Sequence, residues 1–193
     1  MNRLHGLICS SAWWGRTVEE KLLPWGLADV DLEGDVLEIG PGFGATTRVL
    51  VGRAESMTVL ELQRSYCERL RRELPERVAV VEGDATAMPF ADASFTTVLA
   101  FTMLHHVPSP AQQDRLLAEV ARVLRPGGLF AGTDSLGTGT LFKLLHVGDT
   151  LVPLPVEQMP ARLERAGLRE PSVSVGGRSF RFRARKPAAA YAT

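Results

Sequence analysis

Three glycines at alternate positions, Gly40, Gly42 and Gly44, interrupt the sequence VLEIGPGFGAT at residues 36–46. Glycine adopts backbone angles that residues with a Cβ avoid, and it lets the main chain pass close to a ligand. The apolar residues before these glycines are typical of a buried parallel strand, and the residues after them begin a helix. A strand, a glycine turn and a helix N-terminus predict a ligand-binding loop at the carboxyl end of a strand.

The charge beside this loop separates two classes of ligand. Gly40, Gly42 and Ala45 match the dinucleotide-binding pattern G-x-G-x-x-G/A. Glu38, however, is expected to place a carboxylate at the mouth of the turn, where it would repel a pyrophosphate. A carboxylate in that position would suit a cationic ligand, such as a sulfonium-bearing amino acid.

Further polar residues follow the later apolar runs. Glu61 ends the run MTVLE, 17 residues after Gly44, close to the spacing at which a carboxylate binds a ribose hydroxyl pair. His105 and His106 are adjacent, and a neutral imidazole could accept a proton from a phenol or an enol. Because adjacent side chains point in different directions, at most one of the two should face a substrate. A purely structural role for the pair is the alternative.

These residues need a scaffold that brings several strand ends together. Five apolar strands alternate with helical stretches, which predicts a doubly wound parallel sheet. The residues after the fifth strand predict a hairpin that turns at Gly176-Gly177. Helices are predicted over residues 13–25, 63–74 and 157–167, and from Ser109-Pro110 to the sequence RPGG.

The motifs together resemble those of the class I S-adenosylmethionine (SAM)-dependent methyltransferases. The sequence E-x-G-x-G-x-G at residues 38–44 is similar to motif I of that family, and Gly-Asp-Ala at residues 83–85 resembles its adenine-contacting segment. The sequences LHHV at residues 104–107 and LRPGGLF at residues 124–130 resemble the type 11, ubiquinone/menaquinone-biosynthesis-like branch. The resemblance covers residues 35–134.

The resemblance implies a fold, a cofactor and a set of site residues. The implied fold is α/β and Rossmann-like, with a doubly wound seven-stranded sheet that is mostly parallel and has an antiparallel C-terminal edge hairpin. SAM is the implied cofactor, S-adenosylhomocysteine its product, and a small, partly apolar molecule the acceptor, methylated mainly by proximity and alignment. His106 and His105 are the nominees for a catalytic base, and no metal ligands are expected. The residues expected at the cofactor are Glu38, Gly40, Pro41, Gly42, Phe43, Gly44, Glu61, Leu62, Gly83, Asp84, Ala85, Phe101, Thr102 and His106.

The chain departs from the pattern of the family at two places. Thr96 stands where family members usually carry an Asp after the strand-opening Phe, which affects a local hydrogen bond and not the strand. The sequence FTML at residues 101–104 stands where amino-methylating relatives carry Asn-Pro-Pro-Tyr. The second departure disfavours methylation of an adenine or glutamine nitrogen.

Composition restricts the partners and the compartment. The formal net charge is +0 and the pI about 6.9, which gives no global attraction to nucleic acid or to an anionic membrane. Cys9 and Cys67 are the chain's 2 cysteines, so a disulfide framework is not expected and a reducing cytoplasm is the expected location. No apolar run approaches the roughly 18 residues of a membrane span.

A chain of 193 residues is expected to form one methyltransferase domain over residues 1–186. Its expected parts are an N-terminal helical segment (1–34), a cofactor-binding core (35–134) and an acceptor-side segment with the final hairpin (135–186). The tail, residues 187–193, is expected to be disordered. Trp13 and Trp14 belong either to a helix packed on the sheet or to a lid over the ligand.

Two later stretches have two interpretations each. The apolar segment at residues 135–155, with Leu141, Leu145 and His146, lines an acceptor pocket or forms a dimer contact. Arginines alternate with apolar residues at positions 180–185. They form the solvated face of an edge strand or a docking site for an acidic partner.

Two other function classes compete with the methyltransferase. An NAD(P)-dependent reductase would need a loop that tolerates pyrophosphate, which Glu38 disfavours. A SAM-binding sensor or partner subunit would bind SAM without turnover, and a product-forming assay separates it from an enzyme.

Overall fold

A computed structural model describes residues 3–139, 142, 144 and 146–189. Within these residues the chain forms a seven-stranded sheet in the order β3-β2-β1-β4-β5-β7-β6. The strands are β1 Asp35–Ile39, β2 Ser56–Glu61, β3 Val78–Glu82, β4 Phe95–Phe101, β5 Leu124–Ser135, β6 Arg169–Gly176 and β7 Ser179–Arg185.

The sheet is parallel from β3 through β5 and antiparallel at its C-terminal end. Strand β1 pairs in parallel with β2 and β4, β2 pairs with β3, and β4 pairs with β5. Strand β7 lies antiparallel between β5 and β6. The strands of the parallel part are rich in buried apolar residues because helices cover both faces of the sheet. The predicted fold class is confirmed.

Helices cover the two faces of the sheet. On one face Leu116 and Leu163 belong to a buried apolar cluster, and on the other Val18, Leu50 and Leu70 belong to a second cluster. Among the described residues, the continuous α-helices are α1 Arg3–Cys9, α2 Ala12–Thr17, α3 Leu23–Gly26, α4 Ala45–Leu50, α5 Arg64–Glu73, α6 Pro110–Val123 and α7 Met159–Arg165. The α6 start is confirmed, because Pro110 begins the helix and the Ser109 hydroxyl accepts a hydrogen bond from the Gln112 amide at 3.2 Å.

The predicted N-terminal helix is present but contains a π-helical turn. The segment Val18–Leu22 joins α2 to α3, and the Leu23 amide donates to the carbonyl of Val18. Such a turn accommodates one extra residue and changes which side chains face inward. Leu23 is fully buried, Leu22 is half-buried, and Trp13 stays 63% exposed.

Strands β4 and β5 approach each other closely at Gly132. A Cβ built on Gly132 would overlap the carbonyl oxygen of Ala100 and would lie 2.9 Å from the Phe182 ring. This position therefore excludes every residue larger than glycine without a shift of the backbone.

The arginine-bearing strand is not an edge strand, so that part of the hairpin prediction is wrong. Strand β7 is inserted between β5 and β6, which makes β6 the edge. The guanidinium of Arg181 lies over the Trp25 ring at 5.9 Å and donates to the Trp25 carbonyl at 2.9 Å. The tight turn also falls one residue later than predicted, between Gly176 and Ser179, with Gly177 at φ +61°.

Several remaining expectations concern the periphery of the chain. None of the described helices combines the length and the apolar character needed to cross a bilayer. Cys9 and Cys67 are free thiols. Residues 187–189 are exposed and belong to no helix or strand, whereas the rest of the predicted tail (190–193) lies outside the described residues, as do Leu141 and Leu145.

Candidate functional site

The carboxyl ends of β1 and β4 lie where the strand order of the sheet reverses, which is where open α/β sheets bind ligands. The loop after β1 occupies this position. Gly40, Gly42 and Gly44 have φ angles of +64°, +55° and +74°, a region that side chains with a Cβ rarely adopt. The Gly44 amide donates to the carbonyl of Pro41 at 2.9 Å and closes the turn. The glycine turn predicted from the sequence is confirmed.

Glu38 does not lie at the mouth of this turn, so its predicted position is wrong. Its side chain is 1% exposed, and its carboxylate accepts hydrogen bonds from the hydroxyls of Thr46 and Thr47. The Thr47 bond measures 2.6 Å. Burial raises the pKa of Glu38 to about 7, and the two hydroxyl bonds oppose that rise. A buried carboxylate needs such donors, and Glu38 thereby ties β1 to the first turn of α4.

Glu61 ends β2 and connects that strand to the glycine loop. One carboxylate oxygen accepts the Gly42 amide at 3.0 Å, and the other accepts the Gln63 amide at 2.9 Å. Glu61 is 6% exposed; burial raises the pKa of its carboxyl group, while these backbone donors lower it. Each carboxylate oxygen has two lone pairs, so both oxygens keep the capacity to accept a ligand hydroxyl.

The loop after β3 brings the Gly-Asp-Ala segment beside Glu61. The Gly83 amide donates to the carbonyl of Glu61 at 3.0 Å. A Cβ on Gly83 would lie 2.9 Å from Leu60 and 3.2 Å from Pro89, so a small residue is needed for the close approach. The exposed Asp84 accepts the Thr86 amide at 2.7 Å, which orients its carboxylate.

These loops surround a cavity of about 310 Å³, within the range of small-molecule sites. Its lining residues are Gly40, Gly42, Leu60, Glu61, Leu62, Gln63, Tyr66, Gly83, Asp84, Ala85, Thr86, Met103, His106, Val107, Pro108, Gln112, Leu116 and Thr150. The predicted site residues in this set are Gly40, Gly42, Glu61, Leu62, Gly83, Asp84, Ala85 and His106. The predicted site residues outside it are Glu38, Pro41, Phe43, Gly44, Phe101, Thr102 and His105.

The aromatic residues outside the cavity have other packing partners. The Phe43 ring lies 4.8 Å from the Tyr66 ring, and the Arg69 guanidinium lies over it at 5.0 Å. Phe101 is 5% exposed and belongs to the apolar cluster on the side of the N-terminal helices. Neither Trp13 nor Trp14 lines the cavity, so this structure gives the predicted lid no support.

The two adjacent histidines have different surroundings. His106 lines the cavity and its Nδ1 lies 3.0 Å from the carbonyl oxygen of Thr150. His105 is 2% exposed, its Nδ1 is hydrogen-bonded to the carboxylate of Asp134, and its backbone amide donates to the same carboxylate at 3.2 Å. Asp134 is fully buried near the end of β5. An acidic residue at the carboxyl end of a parallel strand is the signal that could have indicated its role.

A third histidine, His146, joins this pair and was not predicted to do so. Its ring lies 5.3 Å from the His105 ring and 5.4 Å from the His106 ring. Its Nδ1 lies 2.7 Å from the carbonyl oxygen of Phe142. Burial lowers the pKa of His146.

Comparison with known proteins identifies the family. Residues 37–132 match the family model described as "Methyltransferase domain" (Methyltransf_11). This segment belongs to the class I SAM-dependent methyltransferases. Methyltransferase GfsG of Streptomyces halstedii is 33% identical over 159 residues, which cover 72% of this chain and 54% of the relative. Fatty-acid O-methyltransferase of Mycolicibacterium smegmatis is 40% identical over 114 residues, which cover 56% of this chain and 40% of the relative.

The fold also matches solved methyltransferase structures. A SAM-dependent methyltransferase from Thermotoga maritima superposes with a TM-score of 0.72 at 20% identity, covering 90% of this chain and 92% of the other. Similar sequences include ribosomal RNA small subunit methyltransferases A, one of them from Bordetella pertussis that is 40% identical over 39% of this chain. The chain spans about half, or less, of the length of the curated relatives described above.

A buried polar network fixes the segment of the chain that carries His105 and His106. The Gln113 side chain in α6 donates to the carbonyls of Leu104 at 3.2 Å and Val152 at 2.8 Å. Arg162 in α7 is 4% exposed, donates to the Gln113 amide oxygen at 2.9 Å and pairs with Asp114 at 2.7 Å. The sequence signal for this network is a glutamine at helical spacing within the apolar stripe of α6.

Proposed function

We propose that the chain transfers a methyl group from SAM to a small, partly apolar acceptor. The observation that carries this proposal is the buried carboxylate of Glu61, held by two backbone amides at the edge of the cavity. Family membership supports the choice of SAM over NAD(P). An acid at this strand end is suited to a ribose hydroxyl pair, the group that both cofactors share.

The residues that line the cavity would hold three parts of the cofactor. Glu61 would accept the ribose hydroxyls, and the backbone at Gly40 and Gly42 would hold the methionine portion. Asp84 would accept the exocyclic amine of the adenine beside Ala85. Glu38 contributes indirectly, since its bonds to Thr46 and Thr47 hold the end of β1 against the helix that follows the glycine turn. Bound SAM supplies an electrophilic methyl group on a sulfonium sulfur.

The cavity also offers apolar surface to an acceptor. Its lining includes Met103, Val107, Pro108 and Leu116, and His106 lines the same cavity. His106 donates its Nδ1 proton to the Thr150 carbonyl, so the neutral imidazole carries its lone pair on Nε2 and can accept a proton there. Alignment and exclusion of water are the main contributions of the protein, and the imidazole supplements them.

Calorimetric titration with SAM, S-adenosylhomocysteine and NADH tests the cofactor. We expect micromolar binding of the first two and no heat from NADH. Binding of NADH alone would refute the proposal and favour the reductase. Saturable SAM binding without methyl transfer to any acceptor would favour the sensor or partner-subunit role.

A labelled-methyl assay tests the acceptor class. A panel of hydroxylated and carboxylated lipids and phenols is compared with small-subunit ribosomal RNA, because relatives of both classes match the chain. We expect label in a small molecule, since the net charge of +0 provides no general attraction to RNA. Label in the RNA would overturn the small-molecule proposal. The cytoplasmic location and the three-part division of residues 1–186 belong to the same proposal.

A further inference from the structure

The three histidines beside the cavity form a cluster with the geometry of a metal site. One ring nitrogen from each of His105, His106 and His146 lies within 4.8 Å of those of the other two. His105 and His146 are buried and His106 is half-buried at the cavity wall. We infer that these three imidazoles bind one divalent transition-metal ion, Zn²⁺ foremost, beside the cavity.

The hydrogen bonds of the cluster set the tautomer of each ring. The Nδ1 atom of His105 is hydrogen-bonded to the Asp134 carboxylate. The Nδ1 atom of His106 is hydrogen-bonded to the Thr150 carbonyl, and the Nδ1 atom of His146 to the Phe142 carbonyl. These oxygens only accept hydrogen bonds, so each neutral ring carries its proton on Nδ1. The lone pair of each ring is then on Nε2, the atom through which each histidine would ligate an ion.

This pattern of outer hydrogen bonds is the one found around bound metals. A histidine that ligates a metal almost always donates its other N–H to a carboxylate or a backbone carbonyl, which fixes the ring and raises its basicity. Here one carboxylate and two carbonyls fill that role for the three rings. The Asp134 carboxylate also accepts the amides of His105 and Ser135, so its orientation is fixed before any ion binds.

The donor set favours Zn²⁺ among the common divalent ions. Imidazole nitrogens suit zinc and its transition-metal neighbours, whereas Mg²⁺ and Ca²⁺ require oxygen ligands. Zinc–nitrogen bonds of about 2.0–2.1 Å in a tetrahedron separate the nitrogens by about 3.3 Å. The nitrogens of the cluster lie within 4.8 Å of one another, so they are at most about 1.5 Å farther apart than a bound zinc ion would require.

The position of the cluster suggests how the ion would be used. Three protein ligands leave a fourth tetrahedral position open, as in catalytic zinc sites. Because His106 lines the cavity, an open ligand position on the ion would be close to an acceptor bound there. An acceptor hydroxyl or thiol that coordinates there loses its proton to water more readily, and His106 is then a ligand in place of a base. This use rests on the proposed function, whereas metal binding itself does not.

A metal competition titration tests the inference. Tag-free protein is freed of metal with a chelator and titrated with ZnCl₂ against a chromophoric chelator, and CoCl₂ is added in parallel to record the visible d–d bands of a tetrahedral site. We expect one equivalent of Zn²⁺ per chain. His146→Ala should weaken binding at least tenfold, and Asp134→Asn should weaken it about ten- to a hundredfold. Arg165→Ala, at an exposed residue of α7, is the control and should leave the titration unchanged.

The outcomes separate this inference from the proposed function. The absence of stoichiometric Zn²⁺ and Co²⁺ binding by the parent protein overturns the metal site whatever the variants do, and so does an affinity that His146→Ala leaves unchanged. SAM is titrated into the same samples. SAM binding without zinc binding refutes the metal site and leaves the proposed function intact. Zinc binding without SAM binding supports the metal site and refutes the proposed function. A SAM affinity retained by His146→Ala shows that the variant is folded.

Discussion

Substitution of Glu38 by glutamine should change how the stability of the protein depends on pH. Glu38 is buried, and its pKa rises from an ordinary value of 4.5 to about 7 because burial disfavours the charged carboxylate. In the unfolded chain the carboxyl group loses its proton near pH 4.5, but in the folded protein it keeps that proton until about pH 7. The contribution of this group to stability is therefore fully present below pH 4.5 and is lost as the pH rises through 7.

The magnitude follows from the difference between the two pKa values. A rise from 4.5 to about 7 corresponds to about 3 kcal/mol of unfolding free energy in full. Integration of the proton-binding difference places about 2 kcal/mol of this loss between about pH 5.5 and pH 8.5. Glutamine fills a similar volume and does not titrate, so Glu38→Gln should lack this part of the pH dependence.

Urea denaturation of both proteins at about pH 5.5 and pH 8.5 measures the effect. The parent protein should lose about 2 kcal/mol more stability than Glu38→Gln between these pH values. Because other groups titrate in both proteins, the comparison cancels their contributions. Glu55→Gln, at an exposed glutamate before β2, should follow the parent protein. A difference below about 0.5 kcal/mol, or one of opposite sign, would refute the assignment of a raised pKa to Glu38.

Three further substitutions test the site and the fold. Glu61→Ala should weaken SAM binding in calorimetry more than tenfold, or about 1.4 kcal/mol, because the ribose hydroxyls lose their acceptor, whereas Glu82→Ala at the neighbouring strand end should not. Arg162→Met should lower the unfolding free energy in urea by about 3 kcal/mol because a buried network loses its donor, whereas exposed Arg165→Met should change it by less than about 0.5 kcal/mol. Gly132→Ala should lower the unfolding free energy in urea by about 3 kcal/mol or more, because the added methyl group would overlap β4.

Each of these expectations has an outcome that contradicts it. Unchanged SAM affinity in folded Glu61→Ala removes this acid from the cofactor site. Equal urea midpoints for the two arginine variants would show that the buried network contributes nothing to stability. A Gly132→Ala protein as stable as the parent would show that β4 and β5 separate at little cost.

The glycine loop could be predicted from the sequence because its conformation is local. Positive φ angles at Gly40, Gly42 and Gly44 need residues without a Cβ, and an apolar strand before the loop identifies the sheet that holds it. Glu61 could be located for a similar reason, since the end of a buried strand and the distance along the chain specify its place.

Features that depend on distant parts of the chain could not be predicted in the same way. His146 meets His105 only because the segment after β5 folds back over the end of the sheet, and a gap of about forty residues in sequence conceals the contact. The position of Glu38 depends on two hydroxyls that α4 presents to it. The arginines of β7 resemble those of an edge strand, because alternation along a strand reports which residues face solvent and not which strands lie beside it.

The π turn at Val18–Leu22 makes the N-terminal segment sensitive to a change of one residue in length. Successive residues of an α-helix are rotated by about 100°, and the extra residue of the π turn offsets α1 and α2 by that angle relative to α3. Deletion of one residue within the turn would restore a regular helix and rotate everything before it. Gly6, whose Cβ would lie 3.3 Å from the Phe43 ring, would then leave the glycine loop. The length of this helix thus sets the docking of the N-terminus on the loop.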